Sequence, residues 1–192
     1  MVLRRHKLRD ERGLILKRNR KFKVVIGWQW FLRNSNSAGP ATVPSFAFGE
    51  IRFVSVDRLG SIPIAGDWDG DGDATVGVAL FDDNTGRIRW QLRNSNTAGP
   101  PDVQFDYGRT STDFPIVGDW DGNGTTTVGV VDPSTGIWYL NNSNASGAPD
   151  IGPFAYGAPG WRPVTGDWNG DGTTTVGDLD PSNTWYLRNS TS

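Results

Sequence analysis

Gly66-Asp67-Trp68-Asp69-Gly70-Asp71-Gly72 returns as Gly118-Asp119-Trp120-Asp121-Gly122-Asn123-Gly124 and again as Gly166-Asp167-Trp168-Asn169-Gly170-Asp171-Gly172. Counted from its first Asp, each loop has side-chain oxygens at positions 1, 3 and 5 and glycine at positions 4 and 6. A turn built this way folds several oxygens around one hard cation, and Ca2+ is the cation such loops usually take. The recurrence also decides the architecture. A period of about fifty residues means stacked copies of one small unit.

Three markers keep the same order along the chain. The first Asp of the loop steps by 52 and then 48 residues, from 67 to 119 to 167. Trp-x-Leu-[Arg/Asn]-Asn-Ser at Trp30, Trp90, Trp138 and Trp185 steps by 60, 48 and 47. Phe-x-[Phe/Tyr]-Gly follows at Phe46 to Gly49, Phe105 to Gly108 and Phe154 to Gly157. A fixed order of three unrelated markers is internal duplication, not biased composition.

Within a repeat the side chains alternate with period two. Ile88-Arg89-Trp90-Gln91-Leu92-Arg93 puts Ile, Trp and Leu on one face, and Asp102-Val103-Gln104-Phe105-Asp106-Tyr107 does the same with Val, Phe and Tyr. That is the pattern of half-buried antiparallel strands. Thr-Val-Gly-Val at 75–78 and 127–130 is a further β-branched strand. Pro63-Ile64, Pro115-Ile116 and Pro163-Val164 start a fourth before each acidic loop, and Asp83-Asn84-Thr85-Gly86 and Asp132-Pro133-Ser134-Thr135-Gly136 are turns. Four antiparallel strands in about 48 residues predict an all-β fold of β-propeller blades. Three full repeats follow a degenerate N-terminal one. The expected organisation is a basic arm at 1–22 and a repeat domain at 23–192, divided into a partial blade 23–60 and blades 61–110, 111–159 and 160–192.

Phe-x-[Phe/Tyr]-Gly followed by Pro-[Ile/Val]-x-Gly-Asp-Trp-[Asp/Asn]-Gly-[Asp/Asn]-Gly resembles the FG-GAP or VCBS-type repeats related to integrin α-subunit propeller blades. The resemblance spans roughly residues 24–192. It implies Ca2+ in the loop between the first two strands of a blade, and extracellular or cell-surface binding or adhesion. The chain departs from the integrin pattern at loop position 9, where Thr75, Thr127 and Thr175 replace Asp. Losing that carboxylate lowers the expected affinity rather than abolishing binding.

The expected ligands are Asp67, Asp69 and Asp71 with the Asp73 carbonyl, Asp119, Asp121 and Asn123 with the Thr125 carbonyl, and Asp167, Asn169 and Asp171 with the Thr173 carbonyl. The first loop is the most charged and so the expected tightest site. Asp-Gly and Asn-Gly pairs also make plain hairpin turns, but a turn needs one pair, not a spaced triplet kept three times. Seven of the nine tryptophans occupy repeat positions, which points to packing between blades; sugar platforms are the alternative. The off-repeat Trp28 and Trp161 are the better candidates for ligand contact.

Composition narrows the remaining classes. No window approaches the roughly 18 apolar residues of a membrane-spanning helix. The chain has no cysteine, so metal is the obvious alternative staple. Residues 1–23 hold ten Lys or Arg against two acids, a net of +8, and the remainder carries a net of −10. The arm is expected to be a disordered leftover or an electrostatic tether. Its apolar run Gly13-Leu14-Ile15-Leu16 is too short for a signal peptide.

His6 lies in that arm and is the only histidine, and Glu50 is the only Glu outside it. No His-based general base can therefore be assembled in the repeats, and no enzyme is expected. Glycines that follow acids repel phosphate, and no nucleic-acid partner is expected. The expectation is a Ca2+-binding propeller module with a lectin-like or adhesive surface for glycan or protein, closing its ring by self-association. The alternatives are a self-assembling scaffold with no other ligand and an accessory domain of a secreted hydrolase.

Overall fold

The computed structural model describes residues 26–51, 53–55, 58–82, 84–109 and 113–191. The basic arm lies outside them. Among the described residues every regular element is a strand and every ladder is antiparallel. The all-β reading therefore holds.

The first unit supplies β1 (Ile26–Trp30) paired with β2 (Phe46–Ile51). A small two-strand ladder follows, β3 (Phe53–Ser55) with β4 (Arg58–Leu59). The second unit is a four-stranded meander: β5 (Ser61–Gly66), β6 (Thr75–Asp82), β7 (Arg87–Leu92) and β8 (Val103–Arg109). The third repeats it with β9 (Phe114–Gly118), β10 (Thr127–Asp132), β11 (Ile137–Leu140) and β12 (Ile151–Ala155). The last described sheet has three strands, β13 (Arg162–Gly166), β14 (Thr175–Leu179) and β15 (Trp185–Leu187). Strand order within a unit is the one the markers predict. No sheet closes on itself, and the ring of blades is not among the described features.

Each marker has a local cause. The glycine of Phe-x-[Phe/Tyr]-Gly takes a left-handed φ of 76° at Gly49, 82° at Gly108 and 77° at Gly157, which only glycine adopts cheaply. At the first two of these places the ladder register shifts, in a bulge. The strand tryptophans read the same spot: Nε1 of Trp30, Trp90 and Trp138 donates to the carbonyls of Phe48, Tyr107 and Tyr156 at 3.1, 2.9 and 3.1 Å. The loop tryptophans Trp68, Trp120 and Trp168 donate to Val76, Val128 and Val176 carbonyls at 3.3, 3.3 and 3.2 Å. Indole is thus a positioned donor as well as an apolar body.

Each core cluster is built on one unit and extends across the boundary to the next. Phe46 and Phe48 of the first unit pack with Val76 and Val78 of the second. Trp68, Trp90, Phe105 and Tyr107 pack with Val128 and Val130 of the third. Trp120, Trp138 and Leu140 pack with Val176 of the last. The expected tryptophan packing holds for Trp68, Trp90, Trp120 and Trp138, all nearly inaccessible, and fails at Trp185, which is 58% exposed because no described unit covers it.

The hairpin turns share one chemistry. In the second unit the Asp82 carboxylate accepts from Asn84 N at 3.1 Å and its carbonyl from Gly86 N at 2.8 Å. Asp132 repeats this with Ser134 and Gly136 at 3.0 and 2.8 Å. Asp180 caps the last hairpin without glycine, and Asn183 takes the left-handed φ of 65° there.

Candidate functional site

The acidic loops sit between the first two strands of each unit, and all three have one geometry. In the first, both oxygens of Asp67 accept backbone N–H groups: Gly70 at 2.8 Å, Asp71 at 3.2 Å and Gly72 at 2.8 Å. Asp119 holds Gly122, Asn123 and Gly124 at 2.8, 3.1 and 2.8 Å. Asp167 holds Gly170, Asp171 and Gly172 at 2.7, 3.1 and 2.9 Å. Left-handed glycines at positions 4 and 6, such as Gly70 (77°) and Gly72 (93°), turn those N–H groups inward.

Position 5 fixes the exit. Asp71 accepts from Asp73 N at 2.8 Å, Asn123 from Thr125 N at 2.7 Å and Asp171 from Thr173 N at 2.8 Å. These bonds, with the Asn169 amide at 2.8 Å, hold the Asp171 carboxyl below the usual carboxylate range.

The loops differ in what remains for a cation. Asp67, Asp69 and Asp71 bring one carboxylate oxygen each within 4.8 Å of one another. Asp69 makes no hydrogen bond among the described residues, so within this triad its carboxylate alone has no donor to offset its charge. In the second loop Asn123 Nδ2 donates to Asp121 at 3.1 Å, and in the third Asn169 Nδ2 donates to Asp171 at 2.8 Å. An amide already satisfies part of each later triplet. The donor set of the first loop fits a hard divalent cation; the others fit it less fully.

Sequence reasoning missed two threonine roles. At position 9, the Oγ1 atoms of Thr75, Thr127 and Thr175 donate to the carbonyls of Gly66, Gly118 and Gly166 at 3.3, 3.2 and 3.3 Å, closing the neck of each loop. The residue that departs from the integrin pattern is thus a clamp. At position 8, Thr126 joins two units: its N–H donates to the Asp67 carbonyl at 2.6 Å, and its Oγ1 accepts from Asp67 N at 3.1 Å. Thr174 does the same to Asp119 at 2.6 and 3.0 Å. The sequence signal was Ala74 at position 8 of the first loop, upstream of which no acidic loop exists to be joined.

The two off-repeat tryptophans are both engaged. Trp28 Nε1 donates to Ser61 Oγ at 3.1 Å, and Trp161 stacks on Tyr186 with ring centres 4.7 Å apart. Both are half-buried. No family model matches this chain, and it has no match among curated proteins or solved structures.

Proposed function

We propose that this chain is a Ca2+-binding repeat module of the β-propeller kind, working outside the cell or at its surface as a non-catalytic binding surface for glycan or protein. The observation that carries the reading is the first loop, where three carboxylates converge within 4.8 Å in a frame already tied by backbone N–H groups. Asp67, Asp69, Asp71 and the Asp73 carbonyl would hold the ion, which would lock the loop and the unit junction it borders. Propeller geometry is supported by the neighbour relations of the first strands, β5 beside β9 and β9 beside β13. A radial array places successive inner strands this way.

Self-association belongs to the same reading. β15 is an edge strand among the described residues, and Trp185, Tyr186 and Leu187 are 58, 42 and 48% exposed. Such an edge is a template for another strand, and a second copy would cover it.

Calorimetric titration with Ca2+ tests the metal. We expect a tightest phase that Asp69→Ala removes while the unloaded protein keeps its melting temperature, because Asp69 takes no part in the loop's hydrogen bonds. No heat of binding, with no calcium by elemental analysis after dialysis, would reduce the loops to turns.

A further inference from the structure

Successive units leave the same groove between them, and the two grooves differ in chemistry. The first is framed by Gly49, Gly99 and Pro101, the second by Gly108, Gly147 and Pro149. These are equivalent repeat positions, and strand register confirms the match. Gly27 faces Glu50 across β1 and β2, while Arg87 faces Arg109 across β7 and β8. With the frame constant, the walls change. Arg87 stands where the first groove has Gly27, Arg109 where it has Glu50, Tyr107 where it has Phe48, and Tyr139 where it has Gln91.

Two of the four changes, at Arg87 and Tyr107, leave a group unused by the fold. Two like charges directly opposite on a ladder repel. Arg109 is neutralised by Asp113 at 3.1 Å and Asp132 at 3.4 Å. Arg87 has no described carboxylate in ion-pair reach and is exposed. Tyr107, only 4% exposed, has a hydroxyl with no hydrogen-bond partner. Burial, with Asp150 and Asp113 nearby, raises its pKa, so it stays a donor. An unsatisfied buried hydroxyl is uncommon and calls for a reason.

We propose that this second groove binds a carboxylate-bearing sugar ring, a uronic acid residue of an acidic polysaccharide, with its carboxylate on Arg87 and its ring among Tyr107, Tyr139 and Pro149. The groove encloses about 280 Å³, the small end of ligand pockets, room for one ring rather than a peptide segment. A planar guanidinium matches a carboxylate with two parallel hydrogen bonds. The single unpaired cation of this groove, on a repeat region of net charge −10, suits one charge per ring; a densely charged sulfated chain or nucleic acid would be repelled. This inference rests on the reading of the chain as a binding surface.

The test is calorimetry on the full chain in Ca2+ with oligoglucuronate, the neutral glucose oligomer of equal length and a sulfated oligosaccharide. The wild type should prefer oligoglucuronate to both. Arg87→Ala should weaken that binding about tenfold with an unchanged melting temperature, and Tyr139→Gln should weaken it too. Oligoglucuronate binding that survives Arg87→Ala but vanishes with chelator would place the carboxylate on a loop-bound ion and overturn the proposal. So would a preference for the neutral or sulfated oligomer, or no binding to oligoglucuronate by folded protein. In those cases Ca2+ titration judges the module reading separately, since it does not involve Arg87.

Discussion

Asp178 stands where the two preceding units carry Val78 and Val130. It is 3% exposed, and its Oδ1 has no hydrogen-bond partner. It lies against Gly157 of the preceding unit. Burial pushes its carboxyl up to about 6, the Leu179 N–H pulling only weakly the other way. A folded-state value above the unfolded 3.8 means the acid form is favoured in the fold. Its contribution is full below pH 4 and is lost as pH rises through 6. Stability should therefore fall between pH 4 and 7. Asp178→Val should remove that slope and stabilise the protein at pH 7.5 by up to about 3 kcal/mol, with little effect at pH 4. Urea unfolding of both proteins at the two pH values decides it; equal slopes would show that Asp178 is not the group responsible.

A second residue-scale prediction separates frame from ligand. Asp67, Asp119 and Asp167 each accept three backbone N–H groups. Their replacement by Ala should destabilise even the chelated protein, by about 1–2 kcal/mol each at these exposed sites. Asp69→Ala should lower stability only when Ca2+ is present. Identical losses for Asp67→Ala and Asp69→Ala in chelator would contradict the hydrogen-bond geometry.

At the scale of elements, adjacent units are joined where a loop backbone meets the next threonine. A Cβ on Gly66 would come within 2.5 Å of Thr126 Cγ2, and one on Gly118 within 2.5 Å of Thr174 Cγ2. The invariant glycine before each acidic loop thus serves close approach rather than φ. Gly66→Ala and Gly118→Ala should each destabilise by about 1–3 kcal/mol through overpacking. Gly147→Ala, where a Cβ meets nothing within 4 Å, should be silent. Thermal melts of the three variants compare them directly, and a silent Gly66→Ala would mean that the junction yields.

At the scale of the whole molecule, every hydrophobic cluster straddles a unit boundary, so each unit's stability depends on its neighbour. Ions that brace the loops at those boundaries stabilise by RT ln(1 + [L]/Kd), about 2.7 kcal/mol at a hundredfold excess. Chelation should lower the melting temperature by several degrees, and Ca2+ should restore it better than Mg2+, which demands stricter octahedral geometry. Light scattering should report a dimer or larger ring in Ca2+; a 21.0 kDa particle at micromolar concentration would count against association.

The sequence by itself determined the repeat, the strand order within a unit, the all-β class and the placing of acidic triplets between first and second strands. These follow from short-range rules, period-two alternation and glycine punctuation, and each is written three times over. Tertiary structure alone decided what depends on which unit lies next door. It buried Trp90 and Trp138 but left Trp185 exposed, and it turned Thr126 and Thr174 into ties between units. It engaged Trp28 and Trp161 in the fold, and it set Arg87 opposite Arg109 beside a lone tyrosine hydroxyl. The reason is physical. Partners across a unit boundary, such as Asp67 with Thr126 and Trp68 with Asn144, lie as far as 59 and 76 positions apart, beyond any local pattern, and identical motifs meet different neighbours at the ends of the array than in its middle.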